Sequence, residues 1–156
     1  MFTTELKTFK KSLCEVQAVI RPIENYPCAK ITCARDASNF LKPLWPVPLN
    51  YREAFISLNL NRSNNTISYA LISIGGVSST CVDPKIILQH ALLSNASSII
   101  LAHNHPSGNL KPSQHDLSLT RKMKQACSYM DIALLDHVIL VEEPGAYYSM
   151  ADEGVI

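Results

Sequence analysis

An apolar run, Ile99-Ile100-Leu101-Ala102, leads without a break into His103-Asn104-His105-Pro106-Ser107-Gly108. This junction constrains the chain more than any other segment. Successive apolar residues bounded by a turn signal read as a buried strand. Pro106 and Gly108 then turn the chain, and Pro112 leads to a stretch of helical spacing from Ser113 to Met130. A strand, a tight turn and a helix in that order hold two imidazoles at a strand end facing a helix start. Side chains placed there sit on a rigid scaffold, as binding and catalytic groups require.

The rest of the chain supplies partners for that strand. Ala54–Asn61 and Thr66–Ile74 read as two strands joined across Arg62-Ser63-Asn64-Asn65, a hairpin signal. Asp83 and Pro84 open a helix as N-cap and first helical residue, with Ile87, Leu88, Ala91 and Leu92 at helical spacing. Ser97–Ala102 is the strand before the histidines, Ile132–Val141 a last long strand, and Tyr147–Met150 a short edge strand. Residues 13–20 alternate loosely and are expected to form a first strand, and residues 35–42 a short helix. Pro43, Pro46 and Pro48 punctuate a connector after it. That connector divides a short N-terminal extension, residues 1–50, packing on a main domain over 51–156. Helices alternating with strands of mixed direction predict an α/β sandwich.

Composition narrows the function classes. The chain has 156 residues, enough for one substantial core, and its 47% hydrophobic content excludes a disordered chain. A net charge of +1 provides no global field to draw it to nucleic acid or anionic lipid. Residues 1–50 carry seven Lys/Arg against four Asp/Glu, too small an excess for a DNA-binding footprint. The five cysteines, Cys14, Cys28, Cys33, Cys81 and Cys127, are scattered and odd in number, as expected of unpaired thiols rather than a disulfide framework. No apolar run has the length of a signal peptide core or a membrane span, so a cytoplasmic protein with no membrane partner is expected.

In extended backbone, residues i and i+2 face the same way, so His103 and His105 can converge on one ion. Asp116, in the first turn of the following helix, can face back toward them. Two imidazole nitrogens and one carboxylate oxygen suit zinc and leave a coordination position open. Each residue also has a plainer use. The histidines can bond to neighbouring carbonyls, and Ser113-x-x-Asp116 is close to a capping box worth about 1 kcal/mol. His115 is expected to point elsewhere on the helix and lie exposed. A hydrolase would need a further carboxylate to take and return a proton, and Glu53, Glu24 and Glu142 all remain open for that on spacing alone. Asp136-His137 opens a strand and fits equally a bond near the site or a structural role at the sheet edge, so it stays outside the predicted site. Trp45 and Tyr147-Tyr148 can stack on bases, although aromatics at such positions more often complete a core.

The pattern His103-x-His105, seven residues, Ser113, two residues, Asp116 resembles the JAMM (MPN-plus) metalloprotease motif. The flanking Ile-Leu-Ala-His-Asn-His-Pro-Ser-Gly, and the later Leu-Asp-His-Val-Ile-Leu, are similar to the RadC-like branch, bacterial proteins traditionally labelled DNA repair proteins. The likeness runs from about Tyr51 to Gly154. It implies a three-layer α/β/α sandwich with a mixed sheet, the JAB/MPN (cytidine-deaminase-like) architecture. It also implies a single Zn2+ on His103, His105 and Asp116, with Ser113 stabilising an oxyanion. The family's upstream glutamate precedes a strand ending Leu-Asn, and here Glu53 precedes Ala-Phe-Ile-Ser-Leu-Asn-Leu-Asn, which makes Glu53 the implied general base.

The resemblance therefore implies a zinc-dependent hydrolase cutting an amide or isopeptide bond, with a peptide or isopeptide-linked protein as substrate. The alternative is a DNA-associated repair, recombination or mobile-element protein using the zinc domain as scaffold or nuclease. Residues 1–50 show no Gly-x-Gly hairpin between helices of the kind longer relatives associate with DNA, which weakens that alternative. Short spacings leave little room for the inserted loops with which deubiquitinating relatives grip ubiquitin. A purely structural zinc domain would need a fourth protein ligand, and none is evident. Nothing in the sequence fixes the oligomeric state.

Overall fold

The computed structural model describes Pro22, Ile23, Tyr26, residues 28–76 and residues 81–156. The strand expected over 13–20, and Cys14, lie outside them. Among the described residues Cys28, Cys33, Cys81 and Cys127 are free thiols.

The expected hairpin forms from β1 (Ala54–Leu60) and β2 (Thr66–Ile74), which pair antiparallel. Its turn is held by Asn61, whose Oδ1 accepts from the backbone N–H of Ser63 at 2.9 Å and of Asn65 at 3.1 Å. Asn64 takes a left-handed φ of 58°, a conformation Asn tolerates better than most residues. Helix α2 (Pro84–Leu93) starts as the sequence predicts, Asp83 accepting from the Lys85 N–H at 2.9 Å. Its buried stripe is narrower than expected: Ile87 and Ala91 are buried, whereas Leu92 is about half exposed at 49%. Leu88 is partly buried and packs against the same core, whereas Leu92 faces outward.

Strand β3 (Ser98–Asn104) reaches two residues further than Ser97–Ala102 and includes the first histidine. The reason is its neighbour: β3 pairs antiparallel with β1 and parallel with β4 (Ala133–Leu140), and the parallel pairing matches His103 with Ile139 and Asn104 with Leu140. Between β3 and β4 runs α3 (Gln114–Ser128), the crossover that a parallel pair needs. Strand β5 (Tyr147–Ser149) closes the order β2-β1-β3-β4-β5 by pairing antiparallel with β4. The sheet is therefore mixed, as expected.

Every residue of β1 and β3 is buried, as for strands covered on both faces. Alternation divides their side chains. Ile56, Leu58, Leu60, Ile100, Ala102 and Leu140 form one core with α1 (Ala34–Leu41), and Trp45 and Tyr147 pack against it. Phe55, Ile99 and Leu101 form the other with Ile87 and Ala91 of α2 and Leu119, Met123 and Cys127 of α3. The result is a three-layer α/β/α sandwich. Helix α1 sits close because its buried positions are small, Ala34, Ala37 and Ser38, with Leu41 as the one large anchor. It runs over 34–41 rather than 35–42 and passes into a short 3-10 turn, Lys42–Leu44, with Pro43 inside it. The two aromatic groups Trp45 and Tyr147 thus serve the core. No described helix is long and apolar enough to cross a membrane.

Candidate metal centre

The buried stripe of α3 is Asp116, Leu119, Thr120, Met123 and Cys127. These positions share one helical face. Its apolar end fills the core, and its polar first turn lies against the end of β3. There His103, on the same face of β3 as Ile99 and Leu101, meets Asp116: His103 Nε2 is 3.4 Å from Asp116 Oδ1. His105, one residue beyond the strand, returns to that face, its Nε2 2.9 Å from His103 Nε2 and 3.7 Å from Asp116 Oδ2. All three side-chain atoms lie within 4.8 Å of one another, with His103 and Asp116 buried and His105 half-buried. Structure therefore brings together the three residues that spacing nominated.

The two uses weighed for Asp116 prove compatible. Ser113 caps α3: its Oγ accepts from the Asp116 N–H at 3.1 Å, while Asp116 Oδ2 accepts from the Ser113 N–H at 2.7 Å. The capping box is complete, and the same carboxylate also faces both histidines. One side chain thus fixes the helix start and aims its charge at the imidazoles. Burial works against that charge, but hydrogen bonds from His103 and His105 outweigh it and hold the Asp116 carboxyl well below the usual carboxylate range. His105 is shifted the other way, its pKa raised chiefly by Asp116.

Donor chemistry tests whether a metal fits. The Nδ1 of His105 lies on the backbone oxygen of Asn109, which can only accept, so Nδ1 carries the proton of the neutral ring. The lone pair of its Nε2 then points at His103 Nε2 and the Asp116 carboxylate. Acceptors so close need a cation or a shared proton among them. Two nitrogens and one oxygen in that disposition suit a divalent transition metal, and the identity of the metal does not follow from geometry alone.

Glu53 arrives through strand register. Phe55 is paired with His103 in the antiparallel β1–β3 ladder, and Gly75 N–H donates to the Glu53 carbonyl at 2.8 Å. Two residues back from Phe55, Glu53 falls opposite His105. Burial raises its pKa above the ordinary value of 4.5, with His103, Asp116, His105 and His115 all close enough to act on it electrostatically. His115 is exposed, as expected, yet near enough to be felt by that carboxylate.

Spacing does not reveal why Glu53 is held there. Asn104, between the two histidines, must face the opposite side of the sheet, and it is wholly buried. Its Oδ1 accepts from Trp45 Nε1 at 3.0 Å and from the Ala54 N–H at 2.7 Å. Its Nδ2 donates to the carbonyls of Leu49 at 2.7 Å and Arg52 at 2.9 Å. Three of these bonds go to the connector preceding β1 and the fourth to Ala54 at the start of β1, so Asn104 ties down the segment that carries Glu53. Period-two alternation alone could have assigned this residue to the far face. Asn104→Ala is expected to leave the Trp45 indole and the Ala54 amide without partners, at roughly 1–3 kcal/mol each. Urea unfolding followed by the fluorescence of the single tryptophan reads both the stability loss and the altered indole environment.

His137, left outside the predicted site, is fully buried beside it. Its Nε2 is 2.9 Å from His103 Nδ1, and its Nδ1 is 2.6 Å from Thr120 Oγ1. Burial drives its pKa well below the usual imidazole value, so the ring is neutral. Phe55 walls both rings, stacked on His103 with centroids 6.0 Å apart and edge-on to His137 at 5.4 Å. The adjacent Asp136 faces away, accepting from Ser149 Oγ at 2.6 Å and from the Ala151 N–H at 3.0 Å. Among the described residues no fourth His, Cys, Asp or Glu joins the three-residue group.

Comparison with known proteins agrees with this architecture. A sequence profile of the RadC-like JAB domain matches residues 31–155. A UPF0758 protein of Flavobacterium johnsoniae is 42% identical over 127 residues, covering 81% of this chain and 53% of that protein. UPF0758 protein YfjY of Escherichia coli is 41% identical over 105 residues, 67% of this chain and 64% of that protein. UPF0758 protein Mbar_A2303 of Methanosarcina barkeri is 33% identical over 130 residues, 83% of this chain and 55% of that protein. The chain spans about half the length of most of these relatives, whose names state no activity. With the profile running through every strand of the sheet and through the His-His-Asp group, the chain belongs to the RadC-like JAB domain family.

Proposed function

We propose that this chain is a zinc-dependent hydrolase of the JAMM type that cleaves an amide or isopeptide bond in a peptide or protein. One observation carries the reading: three acceptor atoms of His103, His105 and Asp116 converge within 4.8 Å beside a carboxylate, Glu53, whose pKa burial raises. His103, His105 and Asp116 would hold the metal. A zinc ion there would lower the pKa of water and polarise the carbonyl to be cut.

The chain's own residues supply the remaining steps. Glu53 takes a proton from the attacking water as the water oxygen bonds to the carbonyl carbon. Ser113 accepts from the Asp116 N–H through its oxygen, and its own O–H proton is directed to the developing oxyanion. The carbon–nitrogen bond then breaks, and Glu53 returns its proton to the departing amine. A raised pKa suits a group that must both take and release a proton near neutrality.

The test is metal content of the purified protein, followed by assay of the zinc-loaded chain against peptide and isopeptide libraries. One zinc per chain, with cleavage that a chelator stops, is the expected result. Zinc-loaded protein that cleaves nothing would end the hydrolase reading. The DNA-associated alternative has one feature in its favour, the exposed basic residues Arg121, Lys122 and Lys124 on the outer face of α3. Salt-sensitive binding of duplex or single-stranded DNA by the same preparation would favour it.

A further inference from the structure

Thr120 and His137 form a buried chain between two of the candidate ligands. Thr120 Oγ1 is 2.6 Å from the backbone oxygen of Asp116, one helical turn earlier, and 2.6 Å from His137 Nδ1. His137 Nε2 is 2.9 Å from His103 Nδ1. Thr120 and His137 are both wholly buried, so no water competes for these bonds. The backbone oxygen of Asp116 can only accept and at 2.6 Å is a nearer and stronger acceptor than Met150 Sδ at 3.3 Å, which gives it the Thr120 hydroxyl proton. Thr120 Oγ1 is left to accept from His137 Nδ1–H. A neutral ring carries one proton, so His137 Nε2 accepts from His103 Nδ1–H. The Nε2 of His103 is then bare and faces His105 and Asp116.

We propose that Thr120 and His137 are positioning residues that hold His103 in the one tautomer able to bind a metal. This inference rests on the metal-centre reading above. The opposite polarity has the same number of protons: Thr120 donates to His137, His137 Nε2–H donates to His103, and His103 Nε2 carries its proton into the centre. That arrangement blocks coordination, and it leaves Thr120 Oγ1 and the Asp116 carbonyl oxygen 2.6 Å apart with no proton between them. What selects between them is where the Thr120 hydroxyl proton goes, and the Asp116 carbonyl at 2.6 Å is the acceptor that sends it away from His137. The chain begins on the backbone of one candidate ligand and ends on the ring of another, joining α3, β4 and β3. Orienting groups behind a ligating histidine typically contribute 10–100-fold in metal affinity.

Thr120→Val keeps the side-chain volume and removes the oxygen. His137 Nδ1 then loses the Thr120 acceptor, and the ring is expected to move its proton to Nε2, forcing His103 into the blocked form. Zinc and cobalt affinities, measured by competition with a chromophoric chelator, should fall about 10–100-fold in Thr120→Val and recover in Thr120→Ser. Imidazole nitrogen–proton correlation spectra of the zinc-loaded wild-type chain should place the protons of His103 and His137 on Nδ1. A Thr120→Val protein that binds both metals as tightly as the parent overturns the proposal. So does equal weakening in Thr120→Ser, or an Nε2–H on His137 in the loaded wild type, a readout that does not depend on the variant folding. A parent chain that binds neither metal refutes the metal-centre reading itself.

Discussion

Asp116→Ala is expected to reduce zinc affinity by more than the roughly 100-fold that loss of an orienting group can cost, because a direct ligand and its charge disappear. Asp116 Oδ1 and Oδ2 are the oxygens that face His103 and His105, and nothing else in the His-His-Asp group carries a formal negative charge. The same substitution removes the acceptor for the Ser113 N–H and breaks the capping box, so stability should fall by about 1 kcal/mol in addition. Two further variants separate these effects. Asp116→Asn keeps an oxygen for the Ser113 N–H and so should keep most of the helix start, yet it loses the charge that the metal needs. Ser113→Ala removes the oxygen that caps the Asp116 N–H and should cost stability without a comparable loss of zinc. Isothermal titration with zinc, beside thermal unfolding of each metal-free variant, reads the two properties independently. Zinc bound by Asp116→Ala at the parent's affinity would remove Asp116 from the centre.

Glu53→Gln is expected to leave zinc binding within a few-fold of the parent and to lower turnover by about 10²–10⁴, the contribution of a positioned general base. The amide has nearly the shape of the carboxylate but cannot accept and return a proton. Glu53 lies just before the start of β1, outside the His-His-Asp group, and influences it through charge. Its removal should therefore spare the metal. Burial lifts its pKa, and below that raised value the side chain is protonated and unable to act as a base. Turnover by the parent should accordingly decline as the pH falls through that range. Single-turnover hydrolysis with zinc-loaded protein separates chemistry from product release. Unimpaired turnover in Glu53→Gln would transfer the base role to another group.

Much of this architecture is legible along the chain, and the reasons are local. The Ile99–Ala102 run is continuous in apolar character because β3 is covered on both faces, and the Asp83-Pro84 pair starts α2 because its cap and ring geometry act within one turn. The His-x-His pair points to one face because alternation is a property of extended backbone. Asp116 is aimed by helix geometry and its own capping box, both set by neighbours within three residues.

Other features depend on register and packing between distant segments. Strand β3 continues through Asn104 because β4 runs beside it, which the residues of β3 do not encode. Glu53 becomes a neighbour of the histidines because β1 pairs with β3 with Phe55 opposite His103, and a slip of one residue would turn it to the other face. Thr120 was recognisable as sharing a helical face with Asp116, four residues earlier, but its use depends on His137 arriving from β4. Asn104 likewise had a predictable face and an unpredictable partner, a connector about fifty residues earlier in sequence.

Sequence alone thus determined the candidate ligands, the order of strand, turn and helix that carries them, and the class of fold. The family resemblance pointed to Glu53, and tertiary structure decided the register that brings it to them and the buried groups that contact His103. Ligand spacing is fixed by bonds and dihedrals within one segment, where the geometry of strand and helix leaves few choices. The identity of a base or an orienting histidine is fixed by pairing among strands and helices remote in sequence, where many registers are compatible with the same local pattern.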